Sequence, residues 1–374
     1  MRILLIGNYP PDRQESMLRF AALMERELRA RGHAVTLLQP KAYTATVARL
    51  GLSKWFGYVD KFVLFPRTLK WAKKGFDVVH ICDHSNAMYA KHLVGIANVA
   101  TCHDVLAIKS ALGEVPQNTV SSTGKKLQGL IIGGLKMAQY VVCDSAISEV
   151  DMLRVTGRSA EDSTVVYLSL NYPYKPKPRE EALAVLDRLK FDGRVPYYIH
   201  VGGGAWYKNR LGLLEIFDKL QQKLENKATR MLFVGEALGP EMQDYIAARG
   251  FKDRVFHLSN VSNDDLEAAY SLSEGLLFPS LQEGFGWPVL EAHSCGCPVY
   301  ATGRPPMTEL GGDAAVYFDP ADTSAAAEIV HEALPDREKI VQAGIANVKQ
   351  FSVDNMIDGY MQAYEHVAAK NKAK

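Results

Sequence analysis

The run Leu277-Phe278-Pro279-Ser280-Leu281-Gln282-Glu283-Gly284-Phe285-Gly286-Trp287-Pro288-Val289-Leu290-Glu291-Ala292 decides how this chain folds. The apolar residues 275–278 read as a buried strand, and a loop with two glycines follows. Pro288 then stands where a helix takes its first residue, because its missing N–H would go unpaired there anyway. The backbone N–H groups of Gly284 to Trp287 would crowd the positive end of that helix and form an anion site. Glu283 in the loop and Glu291 in the first helical turn would repel an anion. They are better read as acceptors for sugar and ribose hydroxyls, since a carboxylate takes two such bonds.

Strand, glycine loop and helix recur on both sides of this stretch. Residues 197–201, 230–234, 255–258 and 298–301 read as further strands, with helices over 209–224, 264–271 and 288–294. The first half shows strands at 2–7, 34–38, 77–81, 99–102 and 140–143, with a helix over 16–30. Continuous apolar strands separated by helices imply parallel sheets covered on both faces. At 374 residues the chain is too long for one core. Residues 171–178 carry three prolines in eight positions and interrupt the alternation. The expected organisation is a first domain over 1–170, a linker over 171–180, a second domain over 181–350, and a final helix over 351–374 returning to the first. The fold class is α/β, two doubly wound parallel-sheet domains facing a central cleft, with the ligand at the strand C-termini.

Composition narrows the partners. The 43 basic residues balance 42 acidic ones, which argues against a nucleic-acid binder resting on excess Lys and Arg. The five cysteines read as small buried hydrophobes, an odd count suited to a reducing compartment. Cys295-Gly296-Cys297 lacks the second Cys or His pair that a metal site needs. Residues 2–7 are too short for a signal peptide, and no run approaches the ~18 apolar residues of a membrane span. The expected place is therefore the cytoplasm, or the periphery of a membrane's inner face. Residues 54–74 hold six Lys/Arg and one Asp, interleaved with Trp55, Phe56, Phe62 and Trp71. That pattern fits a solvated basic helix face or a weak contact with anionic lipid.

Three further constellations carry chemistry. In His200-Val201-Gly202-Gly203-Gly204-Ala205-Trp206-Tyr207-Lys208-Asn209-Arg210, a strand enters a glycine loop and then a helix. Gly203 and Gly204 let backbone approach a ligand, and Lys208 offers a point charge to a diphosphate. Three glycines alone also fit a tight turn, and Tyr207 breaks the G-x-G-x-x-G pattern of a nicotinamide site. His103, in Thr101-Cys102-His103-Asp104-Val105, ends a strand of the first domain. It could donate to a sugar hydroxyl or a developing charge, or hydrogen-bond the following loop. In the loop over 7–16, Arg13, Glu15 and Ser16 are placed to touch an acceptor, although Ser16 could also cap the next helix.

The spacing of Glu283 and Glu291, in E-G-F-G-W-P-V-L-E, resembles the E-x7-E motif of family 4 glycosyltransferases of the GT-B fold. Leu277-Phe278-Pro279-Ser280, Cys295-Gly296-Cys297-Pro298-Val299 and Thr308-Glu309-Leu310-Gly311-Gly312-Asp313-Ala314-Ala315 extend the likeness, with Thr308 where the family has Pro. It is strong over about 195–335 and weaker over 1–170. The resemblance implies two Rossmann-like domains and retaining, metal-independent transfer of a hexosyl unit, with no cofactor. The donor would be a nucleotide-diphosphate sugar and the acceptor a glycan, a lipid-linked molecule or a small molecule. It implies that Glu283 meets the donor sugar and Glu291 the ribose, with Gly284, Phe285, Gly286 and Trp287 also at the donor. Lys208 would meet the phosphates and His103 would lie near the transferred sugar, so His103, Lys208 and Glu283 are the expected catalytic residues. The family often has an Arg a few residues before the Lys, and Gly202 to Gly204 replace it here. Arg210 supplies the second charge, or Lys208 acts alone. The Gly-Gly pair common in the first loop is replaced by Glu15-Ser16. A nucleotide-sugar epimerase of the same architecture, an inactive sugar-nucleotide-binding protein, and a glycoside hydrolase using the two glutamates are the alternatives.

Overall fold

A strand that is apolar along its whole length must be covered on both faces, and parallel strands need a crossover on each return. The computed structural model meets both demands twice. It describes residues 1–43 and 53–372, with the side chains of 53–55 left out. The chain forms two units, Met1–Asn171 with Val353–Lys374, and Tyr172–Ser352.

The first unit holds β1 (Arg2–Ile6), β2 (Ala34–Leu38), β3 (Val78–Ile81), β4 (Asn98–Cys102), β5 (Tyr140–Cys143) and β6 (Ser163–Val165), in the parallel order β2-β1-β3-β4-β5-β6. The second holds β7 (Tyr197–Gly202), β8 (Arg230–Gly235), β9 (Val255–Leu258), β10 (Gly275–Phe278), β11 (Val299–Thr302) and β12 (Val316–Phe318), in the parallel order β12-β11-β10-β7-β8-β9. The three-residue strands β6 and β12 escape a sequence reading, because so short a run shows no period. Five of the helices supply side chains to the core, the surface or the site: α1 (Glu15–Ala30), α2 (Phe65–Ala72), α3 (Arg210–Lys223), α4 (Trp287–Ser294) and α5 (Val353–Lys372).

Each sheet reverses direction once. From β1 the chain winds outward to β2 and then back across to β3; from β7 it winds to β8 and β9 and returns to β10. Ligands of such sheets sit outside the strand C-termini where the winding reverses. Those positions are the loops after β1 and β3, and the loops after β7 and β10.

The cores follow from the patterns. Phe20, Ala21, Leu23, Met24 and Leu28 of α1 lie on one buried face, with Phe20 edge-on to His80 of β3, while Leu4, Ile6, Val79, Ile81 and Ala100 of the sheet are fully enclosed in a cluster with Phe65 and Leu69 of α2. Each such Leu or Ile contributes about 1.5–3 kcal/mol on burial. All five cysteines are free and buried. Helix α1 starts at Glu15 with Gln14 before it, and no side chain caps it. Ser16 lies inside the helix and is exposed, so it is not the cap.

Helix α5 belongs to the first unit. Its Tyr360 hydroxyl lies 2.9 Å from Thr101 Oγ1, and its Tyr364 hydroxyl 2.8 Å from His80 Nδ1. His80 Nε2 completes the set 2.7 Å from Thr101 Oγ1. Buried polar groups persist only when paired in this way. Burial, with a smaller push from His103, holds the His80 ring neutral, its pKa pulled down to about 3. The proline-rich stretch is tied to the second unit rather than hanging free. Tyr174 packs edge-on to Tyr270, and Lys177 Nζ reaches Asp264 at 2.8 Å and Glu267 at 3.1 Å.

One glycine fixes the spacing of the second sheet's end. Gly235 has φ 130°, and a Cβ there would meet the Gly202 carbonyl oxygen at 2.3 Å. Gly235→Ala should cost at least ~2 kcal/mol, from left-handed backbone strain plus a backbone clash. A fall in urea midpoint at unchanged slope checks this.

Candidate active site

The loops that leave β7 and β10 converge. The Leu281 amide donates to the Tyr207 carbonyl at 2.7 Å. Trp206–Lys208 form a single 3-10 turn, ended by Asn209 at φ 50°. Lys208 and Asn209 therefore precede α3 instead of opening it. This turn points Lys208 Nζ at Glu283 Oε1, 2.7 Å away, with the two side chains only 14% and 9% exposed. The same ammonium lies 5.2 Å from the Phe278 ring centroid and 5.6 Å from that of Tyr207. Two residues 75 positions apart thus form one ion pair at the winding reversal.

The glycine loop is held by a residue that the sequence reading missed. Gly204 N–H donates to Glu236 Oε2 at 2.6 Å, so the loop after β8 braces the loop after β7. Gly203 lies beside the same carboxylate. An acidic residue next to a strand-ending glycine was the only local signal. Arg210 departs from the expectation of a second phosphate cation. It is 6% exposed, and its guanidinium donates to the carbonyls of Glu236 at 2.9 Å and Ala237 at 3.2 Å. It also covers the Phe233 ring at 5.2 Å. Two places beyond Lys208, on the first turn of α3, the side chain is turned toward β8.

Gly286 precedes α4 with φ 107°, Trp287 is its first residue, and Pro288 its second. Phe285 is buried and meets the Trp287 ring edge-on at 6.1 Å. Glu291 is the fifth residue of α4 and so lies in its second turn, not its first. It accepts a hydrogen bond from the buried Tyr270 hydroxyl at 3.0 Å. Around these loops His200 Nε2, Ser280 Oγ and Gln282 Oε1 are buried without partners. His200 Nδ1 donates to the Leu277 carbonyl at 3.0 Å. Burial lowers its pKa to about 3, which leaves Nε2 a bare acceptor. Arg210 Nε, at the start of α3, is buried without a partner as well. Among the described residues, no group of three or more His, Cys, Asp or Glu is arranged to hold a metal ion.

In the first unit His103 directly follows β4 and is 5% exposed. Its Nδ1 lies 3.0 Å from Asp144 Oδ2, and its Nε2 lies 3.0 Å from the Cys82 carbonyl. The Phe20 ring meets it edge-on at 5.0 Å. Both ring nitrogens are occupied, so neither is left to donate to a sugar hydroxyl, contrary to expectation. Burial alone would lower the ring's pKa, but the bond and charge of Asp144 outweigh it and push it up to about 9. Asp104 organises the next loop as expected, accepting from the Leu106 amide at 2.8 Å.

Arg13 sits at φ 53° after a short turn, and Arg13, Glu15 and Ser16 are all exposed at the C-terminal end of β1. Beneath them Asn8 donates to Asp83 and accepts from Asn86 at 3.0 Å; none of the three stood out in the sequence. In the basic stretch, Lys61 pairs with Asp12 at 2.7 Å and Lys73 donates to the His92 carbonyl. Trp71 remains 72% exposed, with Lys74 5.2 Å from its ring. The side chains of Lys54 and Trp55 lie outside the described residues.

Two six-stranded parallel sheets of Rossmann type, with a Gly-rich loop and a two-glutamate loop at one winding reversal, define a glycosyltransferase of the GT-B fold. Residues 186–350 match the family model described as glycosyl transferases group 1. The chain is 28% identical over 310 residues to O-antigen chain mannosyltransferase B of Escherichia coli, covering 81% of this chain and 78% of that one. It is 30% identical over 317 residues to D-inositol 3-phosphate glycosyltransferase of Mycolicibacterium smegmatis, covering 80% and 69% respectively. Sucrose-phosphate synthase from Thermosynechococcus elongatus shares the fold, with TM-score 0.76 over 99% of this chain and 100% of that one at 18% identity. The chain belongs to the glycosyl transferases group 1 family.

The hydrogen bonds of Arg210 make it a structural cation. Arg210→Met should lower stability by about 1–3 kcal/mol, because two carbonyls lose a charged donor. Chemical denaturation measures this, and an unchanged midpoint would restore Arg210 as a phosphate ligand.

Proposed function

We propose that this enzyme moves a hexosyl unit from a nucleotide-diphosphate sugar to a glycan or lipid-linked acceptor, with retention at the anomeric carbon and without a metal ion. The observation that carries this reading is the Lys208–Glu283 pair at the reversal between β7 and β10. With no donor bound, each side chain neutralises the other. An arriving diphosphate draws the ammonium toward itself and frees the carboxylate for the hydroxyls of the sugar.

The chemistry follows from where charge develops. As the bond from the anomeric carbon to the phosphate oxygen breaks, negative charge grows on the diphosphate. Lys208 and the N–H groups leading into α4 at Gly284 to Trp287 meet that charge without a divalent cation. The acceptor hydroxyl forms the new bond on the face that the phosphate leaves, and its proton passes to the departing phosphate oxygen. Glu291, steadied by Tyr270, takes the ribose diol. Support for retention is the Glu283-to-Glu291 spacing; support for a glycan acceptor is the name of the E. coli relative, an O-antigen chain mannosyltransferase. We place the reaction in polysaccharide biosynthesis, in the cytoplasm, where five free cysteines stay reduced. No helix among the described residues is long and apolar enough to cross a membrane. The α2 face, with Trp71 exposed and Arg67 and Lys70 beside it, suits a weak lean on anionic lipid.

Two substitutions test the donor roles. Lys208→Ala should lower kcat/KM by at least ~100-fold, the scale of losing one contact that strengthens in the transition state. Near-normal turnover would remove Lys208 from the phosphates. Glu291→Gln should raise the donor KM with little loss of kcat, because the ribose contact is made before and during reaction. An unchanged KM would move the ribose elsewhere. Nucleotide release that depends on acceptor separates transfer from hydrolysis and epimerisation.

A further inference from the structure

The connection from β2 to β3 ends in one helical stretch: Ser53–Val59, a π-helical turn over Asp60–Leu64, and then α2. Its exposed residues recur every three or four places: Phe56, Val59, Val63, Arg67, Lys70 and, just past the helix end, Lys74. That spacing puts them on one face, apolar toward residue 56 and basic toward residue 74. Trp71 stands beside the basic half, 72% exposed. The opposite face is fastened to the unit. Phe65 and Leu69 lie in the core. The Tyr9 hydroxyl donates to Asp60 Oδ2 at 2.9 Å, and the Tyr89 hydroxyl to the Lys61 carbonyl at 2.9 Å.

At the basic end of this face lies an open cavity of about 610 Å³, beside the first residues of β1 and β2. Arg2, Arg29, His33 and Lys74 line it, with Val35 and Phe76 as apolar wall, and among the described residues no carboxylate does. Two acids nearby are engaged elsewhere. Glu25 meets Arg29 at 2.7 Å, and Asp77 accepts the Arg2 backbone N–H at 2.7 Å. Arg29 also donates to the Val35 carbonyl, from Nη2 at 2.8 Å and Nε at 3.2 Å. Lys74 Nζ lies 5.2 Å from the Trp71 ring centroid, so the cavity and the helix face share one cation.

We propose that this cavity holds the phosphate headgroup of an anionic phospholipid while the helix face rests on the bilayer. The inference builds on the α2 contact with lipid proposed above and gives that contact a binding site. A concave surface lined by cations of one sign focuses positive potential on an anion. The apolar half of the face and the exposed Trp71 favour a lipid over a free anion, because they suit the layer between headgroups and acyl chains. The helical stretch spans about 30 Å, and its far end is tied to the loop after β1 through Tyr9–Asp60 and through Asp12, 2.7 Å from Lys61. A bilayer along the face therefore lies beside the loop that carries Arg13 and Glu15, where a lipid-linked acceptor would enter. That last consequence rests on the proposed function; the headgroup site does not.

The headgroup site is tested with dihexanoyl-phosphatidylglycerol below its micellar concentration, titrated calorimetrically into the full-length protein. Saturable binding is expected. It should weaken about 25-fold in Arg2→Gln with Lys74→Gln, roughly five-fold for each charge lost beside an anionic headgroup, and persist in Arg67→Gln with Lys70→Gln. All four side chains are exposed, so the variants keep the fold. No saturable binding, or undiminished binding in the cavity variant, overturns the proposal. So does inorganic phosphate that binds as tightly as the lipid, which makes the cavity a site for a free anion. Flotation with vesicles then separates the site from the α2 contact. Phosphatidylcholine vesicles with about one third phosphatidylglycerol should carry the protein, pure phosphatidylcholine should not, and both double variants should bind the former less. Vesicle binding that only the Arg67, Lys70 variant loses leaves the α2 contact standing and removes the headgroup site. Protein that floats with neither vesicle, or equally with both, removes the two together. Neither assay contains a sugar donor, so both read the same whether or not the protein transfers sugar.

Discussion

Parallel pairing of β10 with β7 is the constraint on which the second unit depends. Parallel neighbours cannot be joined by a hairpin, so each return crosses over through a helix and every strand ends at the same edge of the sheet. That geometry brings two loops, 75 residues apart in the chain, into hydrogen-bond range at Lys208 and Glu283. A one-place shift of either strand would turn alternate side chains to the opposite face and part them. On the other side of β7, Gly235, whose missing side chain lets the end of β8 lie against Gly202, and Glu236, which holds Gly204, tie β8 to the same loop.

Three nitrogen-bearing side chains are partnered in three ways. Lys208 is paired with a single carboxylate, that of Glu283, contributed by another loop. Arg210 gives its two terminal nitrogens to main-chain carbonyls of the β8 loop and lies over an aromatic face. His103 is matched by one carboxylate and one carbonyl and has no donor left over. Burying a charge is costly unless it is paired and hydrogen-bonded, so the partners decide which of the three can take part in chemistry. The first unit treats neutral polar groups alike: His80, Thr101, Tyr360 and Tyr364 close a ring of bonds that docks α5 on the sheet.

The orphaned atoms show the opposite case. His200 Nε2, within β7, and Ser280 Oγ and Gln282 Oε1, just beyond β10, have no hydrogen-bond partner. Unsatisfied groups of this kind destabilise a fold unless another contact offsets them.

Much of this was legible in the linear chain. Strand period, helix breakers and the Glu283-to-Glu291 spacing are local properties, and they determined ten of the twelve strands, the glycine loop and the two glutamates. The missing strands, β6 and β12, have three residues each, and the sheet's neighbours rather than any period of their own make them strands. Side-chain commitments could not be read in this way, because they depend on residues far off in the chain. Arg210 looked free until β8 supplied its carbonyls, and His103 looked like a donor until Asp144 and Cys82 took both nitrogens. Glu236 and Tyr270 carried no motif at all. The sequence by itself determined which residues stand at the strand ends; the tertiary structure alone decided which of them still have a charge or a lone pair to offer, because a hydrogen bond is consumed by whichever partner the fold brings within about 3 Å.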